Sequence, residues 1–426
     1  MDLAHSNQVQ VIIGRMTLQE VALLQEIDKY RKNVPILSLT SPAISSTLIP
    51  IQFPYSYFLQ IADDVTFHIQ SMAAIVGHFR WRKVTAISEQ RSSFSSNSDI
   101  VTLLSHSLRL VNAEVDHHLV FPSLSSLSEP KARIEKEFKR LKNKSNRVFL
   151  IVQSSLESAI LLFEKAKQMG LMEKHSVWIV TDEVASLLVS VDPSVNFNMQ
   201  GVIGFKTHFA DNSKTFRQFK YKFQRKYGSK YPEEENSKPS VFALRAYDAT
   251  WAIAQLVKNA QGKFILQEGL SQKILSSNFE GLSGKISFNN GKLLEFPTFN
   301  IINVIGNSYK ELAFWSSTFG FSQNLVKHEV METIFNNGSI GDLAPVYWPG
   351  GLQTVPRGWT YSNEEKPLRI LVPARGVFNQ FVNVSYDSSR NETHVTGFSI
   401  TVFRAALKRL PYQLPHEFVP FYGSYD

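Results

Sequence analysis

"NRVFLIVQSSLESAILLFEKAKQMGLMEKHSVWIVTD", from Asn146 to Asp182, decides the fold class. It opens on an apolar run, "NRVFLIV", which reads as a strand covered on both faces. "LESAILLFEKAKQMG" follows with helical spacing and is stopped by Gly170. "VWIVTD" (Val177–Asp182) is a second apolar run ending in a hydroxyl and a carboxylate. Strand, helix, strand in this compass argues for parallel strands joined by covering helices.

The same alternation extends upstream. "VQVIIG" (Val9–Gly14) and "VPILSLTS" (Val34–Ser41) read as strands around a helix beginning at Thr17, with Glu20 placed for a capping box. Val65, Ile69, Met72, Ala73 and Val76 share one helix face. "KVTAIS" (Lys83–Ser88), "DIVTLLSHSLRLV", "EVDHHLVF" and "KARIEKEFKRLK" continue as strand, helix, strand and helix. With short, right-handed connections the sheets are doubly wound. After Gly201 the rhythm changes. Helical patterns run from about Ser213 to Tyr227 and from about Ser240 to Asn259, and "GKISFNNGKLLEFPTFNIINVIG" reads as hairpins turning at Asn289–Asn290–Gly291. Residues 345–366 are dense in Pro and Gly and read as a linker between a domain over 1–344 and a second over 367–426.

Composition narrows the function. The 426 residues are 43% hydrophobic and 19% charged, which describes a globular chain with room for two or three domains. The formal net charge is +8, spread along the sequence with no basic tail. The most basic stretch, "SKTFRQFKYKFQRKYGSKY", carries Phe216, Phe219, Phe223 and Tyr227 at helical spacing, which makes an apolar stripe with a solvated basic face. Nucleic acid is therefore not the expected partner. The absence of cysteine excludes disulfides, thiolate metal sites and thiol catalysis. No apolar run is long enough to span a membrane, and the opening lacks the basic and apolar regions of a signal peptide. Sequons stand at Asn143, Asn337, Asn383 and Asn391.

Enzyme signatures are missing: no G-x-S-x-G elbow, phosphate loop, H-E-x-x-H or G-x-G-x-x-G occurs. His117 and His118 point to opposite faces of a strand, and His416–Glu417 lacks a further ligand. No metal or other cofactor is expected. Small ligands of open α/β sheets bind beyond the carboxyl ends of the strands. "SLTSP" and "VTD" sit at such ends. Thr40, Ser41, Thr181 and Asp182 either hold a carboxylate or ammonium group there or cap the helices that follow.

Taken in order, "VIIGRMT", "VPILSLTSP", "FRWRKVTAI", "VWIVTDEV", "RAYDATWAIAQ", "PVYWPGG", "PRGW", "KPLRILVP" and "VTGFSITVFRAALKRLPYQLPHEFVPF" followed by "GSYD" resemble the plant glutamate receptor-like channels over nearly the whole chain. The resemblance implies a bilobed type I periplasmic-binding-protein-like domain of doubly wound parallel sheets. It also implies an incomplete type II fragment, the front of an agonist-binding domain, after the linker. It implies no enzyme, a small amino-acid-like ligand, assembly with other receptor subunits and a place on the extracellular side of the plasma membrane. Carried over by position, Thr40, Ser41, Thr181 and Asp182 line the cleft; Tyr247 and Asp248 of "RAYDA" serve either the ligand or packing and helix capping. The chain departs from the family at Gly14–Arg15, where Gly-Pro is usual, and at "EQRSSFSSNSD", where an acidic–aromatic–glycine loop is usual. Ser399 and Thr401 replace a Cys and an Asp. The family's opening strand–helix pair, pore helices and agonist-clamping arginine are not among these residues, so the chain reads as truncated at both ends. A truncated product without function and a soluble periplasmic-type binding protein are the alternative readings.

Overall fold

The computed structural model describes residues 9–16, 20, 34–41, 58–90, 97–123, 127–188, 191–233, 238–259, 269–325, 343–360, 367–374, 379–387, 392–409 and 415–423. The helix expected from Thr17 lies outside them, apart from Glu20. The chain divides into two compact units, one of Met1–Lys139 with Asn146–Trp359 and one of Arg140–Ser145 with Thr360–Asp426.

The first unit is built on two principal sheets. β1 (Ile12–Gly14), β2 (Ile36–Ser38) and β3 (Phe58–Gln60) pair in parallel in that order. β4 (Lys83–Gln90), β5 (Glu114–Pro122), β6 (Val148–Gln153), β7 (Val177–Val180) and β8 (Ile203–Thr207) form the parallel part of an eight-stranded sheet. Helices connect them: α1 (Val65–His78) leads into β4, α2 (Asn97–Leu110) into β5, α3 (Pro130–Lys142) into β6 and α4 (Leu156–Gln168) into β7. β12 (Thr298–Ile305), β13 (Ser308–Ser316) and β14 (Gly320–Ser322) extend the sheet beyond β8 as an antiparallel arm. The fold is therefore α/β with parallel-dominated sheets, and the large sheet is mixed. The change of rhythm after Gly201 marks that arm.

Strand burial follows the pattern. Every residue of β7 is buried, and β6 is buried from Val148 to Val152, because helices cover both faces. Trp178 lies in a ring cluster with Phe149, Phe163 and Phe138, and its indole N–H donates to Leu171 O at 2.9 Å. The expected face of α1 is buried at Ile69, Met72, Ala73 and Val76.

The first sheet packs with α8 (Val241–Asn259), α9 (Leu270–Leu275) and a small antiparallel sheet of β9 (Asn278–Glu280), β10 (Lys285–Asn289) and β11 (Lys292–Leu293). Leu37, Leu59, Ala249, Ile274 and Ile286 meet there. The β10–β11 hairpin turns at Asn290 and Gly291, both at positive φ (49° and 77°), as a two-residue turn matched to strand twist requires.

Residues 343–359, most of them in the stretch that reads as a linker, fold onto the first unit. Trp348 is 2% exposed, edge-on to Trp81 and Phe79. The buried Asn303 amide brackets Tyr347, accepting from its N–H at 2.8 Å and donating to its carbonyl at 3.0 Å. The Trp81 indole donates to Pro356 O at 2.8 Å, and Arg147 N–H to Gly358 O at 2.8 Å. Gly358 sits at φ 74°, and a Cβ there would lie 2.4 Å from the Val148 side chain, so only glycine fits.

In the second unit β15 (Leu368–Pro373) pairs in parallel with β18 (His416–Phe421), and β16 (Asn383–Asp387) forms a hairpin with β17 (Glu392–Thr396). Val402, Phe403, Ala406, Leu407 and Leu410 are the spacing-based expectation for the buried face of α10 (Phe398–Arg409). The structure turns the helix otherwise: Ile400 is buried, Phe403 and Leu407 are half-buried, Ala406 is exposed and Val402 is 51% exposed. Leu410 lies outside the described residues. The stripe at 400, 403 and 407 wins because Ile400 joins Val372 and Val395, and Phe403 meets the rings of His416 and Phe418.

Candidate functional site

In the large sheet the chain steps from β4 outward to β5, then returns to lay β6 on the other side of β4. The crevice beyond the carboxyl ends of β4 and β6 is thus the point where strand order reverses, the place where α/β sheets hold ligands. Glu89, 5% exposed near the end of β4, accepts from Ser155 N–H at 2.8 Å. Ser155 caps α4 by accepting from Ser158 N–H at 3.2 Å, and Ser154, 1% exposed, donates its hydroxyl to Ser155 O at 3.0 Å. At the next strand end Thr181 is 3% exposed, and its hydroxyl oxygen is buried with no hydrogen-bond partner. It holds the N-cap position of α5 (Asp182–Ala185) without making a side-chain cap. A hydroxyl buried unpaired costs about 1–3 kcal/mol, so an unpaired one at a strand end is a notable feature.

Asp182 belongs to a different constellation. It is 1% exposed and accepts from Thr207 N–H at 2.9 Å and from the Ser186 hydroxyl, with Thr207 Oγ1 standing 3.3 Å from its Oδ2. Arg245 from α8 reaches Asp63 Oδ2 at 3.0 Å, Asp182 Oδ2 at 3.9 Å and Thr207 Oγ1 at 3.3 Å, and Thr207 Oγ1 donates to Asp63 at 2.7 Å. Arg245 Nη1 also reaches Leu39 O of the first sheet, at 3.5 Å. Next to Asp63, Asp64 accepts from Thr66 N–H at 2.9 Å and pairs with Lys292 at 2.5 Å. Burial alone would raise the Asp64 carboxyl, but Lys292 and the Thr66 N–H hold it below its ordinary value. Asp63 and Asp64 follow β3, Thr207 ends β8 and Lys292 opens β11, each close to a point where the chain passes between the two sheets, while Asp182 follows β7 and Arg245 lies in α8. Buried guanidinium and carboxylates therefore tie the crossing segments together.

The other sequence-predicted residues also have internal partners. Thr40 Oγ1 donates to Met16 O at 3.1 Å and accepts from Met16 N–H at 3.2 Å, joining the ends of β1 and β2. Ser41 Oγ accepts from Val65 N–H at 3.3 Å at the start of α1. Tyr247 packs on Phe219 and stacks on Trp251. Asp248 is fully buried and accepts from Leu282 N–H (2.7 Å), Ser283 N–H (2.7 Å) and the Ser283 hydroxyl (2.6 Å). Burial raises its carboxyl above the ordinary range, although those three donors oppose the rise. His118 Nε2 meets the Ser88 hydroxyl at 2.8 Å, and burial, followed by the neighbouring His117, holds its imidazole below the ordinary value. No group of His, Asp and Glu able to hold a metal occurs among the described residues.

Sequence reasoning missed Asp63, Glu89, Thr207 and Arg245. Arg245 opens the quoted "RAYDATWAIAQ" motif, so a cation three residues before Asp248 on a largely apolar helix was the available signal. The others lie at strand or segment ends with no spacing to mark them.

Residues 1–307 match the family model described as receptor family ligand binding region. Among curated proteins of Arabidopsis thaliana, the chain is 32% identical to glutamate receptor 2.5, over 100% of this chain and 47% of that protein. It is 31% identical to glutamate receptor 2.3 (99% and 47%) and 30% identical to glutamate receptor 2.7 (99% and 44%). The chain spans about half the length of the curated relatives it matches. By name these relatives are receptors, not enzymes. No helix among the described residues is long and apolar enough to cross a membrane.

Proposed function

The chain belongs to the plant glutamate receptor-like family, and on that basis we propose that it is the ligand-recognition part of a ligand-gated cation channel. In this reading the first unit is a two-lobed domain that takes a small amino-acid-like ligand in the crevice beyond β4, β6 and β7. The second unit, from near Leu368, is the front of an agonist-binding domain on the extracellular side of the plasma membrane, in an assembly of receptor subunits.

The observation that carries the reading is the Thr181 hydroxyl, buried and unpaired beside the strand-order reversal. A ligand carboxylate accepts from that hydroxyl, helped by the N-terminal N–H groups of α4, while the carboxylate of Glu89 faces the ligand's ammonium group. Of the residues drawn from sequence, Thr181 touches the ligand. Asp182, Thr40 and Ser41 position the strand ends, and Tyr247 and Asp248 hold α8 in place.

The test is calorimetric titration of the full chain with the twenty amino acids. At least one is expected to bind, and Thr181→Val, which keeps the shape and removes the hydroxyl, is expected to weaken it about five- to tenfold. Absence of heat for every amino acid, or equal affinity of wild type and variant, removes the proposal.

A further inference from the structure

The outer face of α7 (Lys214–Lys230) carries a charge pattern that the ligand crevice does not use. Seven of its seventeen residues are Lys or Arg and none is acidic. Two rows run along it at i, i+4, i+8: Arg217, Tyr221 and Arg225 in one, Lys222, Lys226 and Lys230 in the other, and all six are exposed. Tyr221 is 66% exposed between its two arginines.

Another helix of similar basicity shows what this arrangement lacks. On and around α3, Lys131 pairs with Glu164, Arg133 with Glu137, and Lys139 and Lys165 with Glu135. On α7 none of the cations has a carboxylate within 4 Å among the described residues. Like charges four residues apart each cost a few tenths of a kcal/mol, so the Lys222–Lys226–Lys230 row works against the helix that bears it. An external anion would reverse that sign.

The spacing and the sparse exposed rings select the anion. Side chains four apart on a helix repeat every ~6 Å, which suits a linear polymer with one charge per unit. Single-stranded nucleic acid would need exposed rings close enough to stack successive bases, whereas Tyr221 and Tyr231, the 38% exposed cap of the helix beside Lys230, stand about 15 Å apart along the axis. Here Phe216, Phe219, Phe223 and Tyr227 face inward: Phe219 meets Tyr247, Phe223 stacks on Tyr227, and Phe216 packs with Leu244 and Leu282. The same packing leaves no apolar face to insert into a lipid surface. One exposed ring flanked by cations fits a sugar ring that carries a carboxylate, with the ring stacked on Tyr221 and the carboxylate between guanidinium or ammonium groups. We propose that the outer face of α7 is a docking surface for an acidic, uronate-bearing polysaccharide.

The full chain is titrated with polygalacturonate in about 0.15 M salt, with poly-dT, polyglutamate, phosphatidylserine vesicles and neutral dextran as comparators. Polygalacturonate is expected to bind best and dextran not at all. Lys222→Glu, Lys226→Glu and Lys230→Glu together are expected to weaken polygalacturonate at least about tenfold, and Tyr221→Ala about threefold. Arg109→Glu, Lys136→Glu and Lys310→Glu together change the net charge equally and leave binding within about twofold. Thermal melts of both triple variants check that they fold. The proposal is overturned if wild type does not bind polygalacturonate, if the two triple variants lose binding equally, or if poly-dT, polyglutamate or vesicles bind more tightly.

Discussion

Replacing Arg245 with Met removes the only cation within 4 Å of Asp63 and Asp182 among the described residues while keeping the length of the side chain. Arg245 is 5% exposed, Asp63 10% and Asp182 2%, so all three charges are shielded from water. The two carboxylates are not left alike. Asp182 keeps the Thr207 N–H and the Ser186 hydroxyl, whereas among the described residues Asp63 keeps the Thr207 hydroxyl alone. The stranded charge is therefore Asp63. Removing one partner of a buried ion pair costs about 3–5 kcal/mol, and that is the loss expected for Arg245→Met. Adding Asp63→Asn neutralises the stranded group, so the double variant should recover at least about half of the loss. Urea unfolding followed by tryptophan fluorescence reads this cleanly, because all six tryptophans, from Trp81 to Trp359, belong to the first unit. A loss below about 1 kcal/mol, the size of an exposed pair, would refute the claim that these charges tie the crossing segments together, as would a double variant less stable than Arg245→Met alone.

Two further perturbations report on other joints of the first unit. The Asp248 carboxyl is raised in the folded chain, so the folded state takes up its proton more readily than the unfolded state; stability from this group grows as pH falls through the raised value and is fully present below 3.8. The stability of wild type relative to Asp248→Asn should therefore increase on acidification from pH 7, measured by urea unfolding at each pH; a constant or shrinking difference contradicts burial as the dominant influence. Asn303→Leu leaves the part-buried Tyr347 N–H and C=O without their side-chain partner and should cost about 1–2 kcal/mol. It should also hasten proteolytic cleavage within 344–359, and cleavage no faster than in wild type counts against that anchoring.

Strand–helix alternation was legible because a strand covered on both faces must be a continuous apolar run, and "VFLIV" and "VWIV" are such runs. The Asn290–Gly291 hairpin was legible because positive φ at both turn positions restricts the residue types. What sequence concealed was placement. The stretch through "FNIINVIG" reads as a hairpin strand and pairs antiparallel as β12, but nothing local shows that it joins the edge of the parallel sheet at β8. The Pro- and Gly-rich stretch around Trp348 has no period, yet a buried tryptophan and one asparagine's bonds hold it on the first unit. Gly358 belongs there because of contact with Val148, a residue more than two hundred positions away. In α10 spacing pointed to the stripe that includes Val402, and the partner surface at Val372 and Val395 buries Ile400 instead.

The strand end at Thr181–Asp182 joins two roles that a list of polar residues cannot separate. Thr181 has a hydroxyl without a partner, while Asp182 has its carboxylate bonded to β8 and facing Arg245 of α8. In the proposed function these neighbours serve one the crevice and one the ties between crossing segments. A ligand changes a conformational balance only by binding one state more tightly than another. On the proposed reading a ligand at Thr181 has a direct route to such a difference, because the adjoining Asp182 is bonded to the Thr207 N–H and stands 3.9 Å from Arg245. Removal of the Thr181 hydroxyl should therefore act on affinity, and removal of the Arg245 guanidinium on stability. Two neighbouring positions with different readouts make the crevice and the crossing segments separable by experiment.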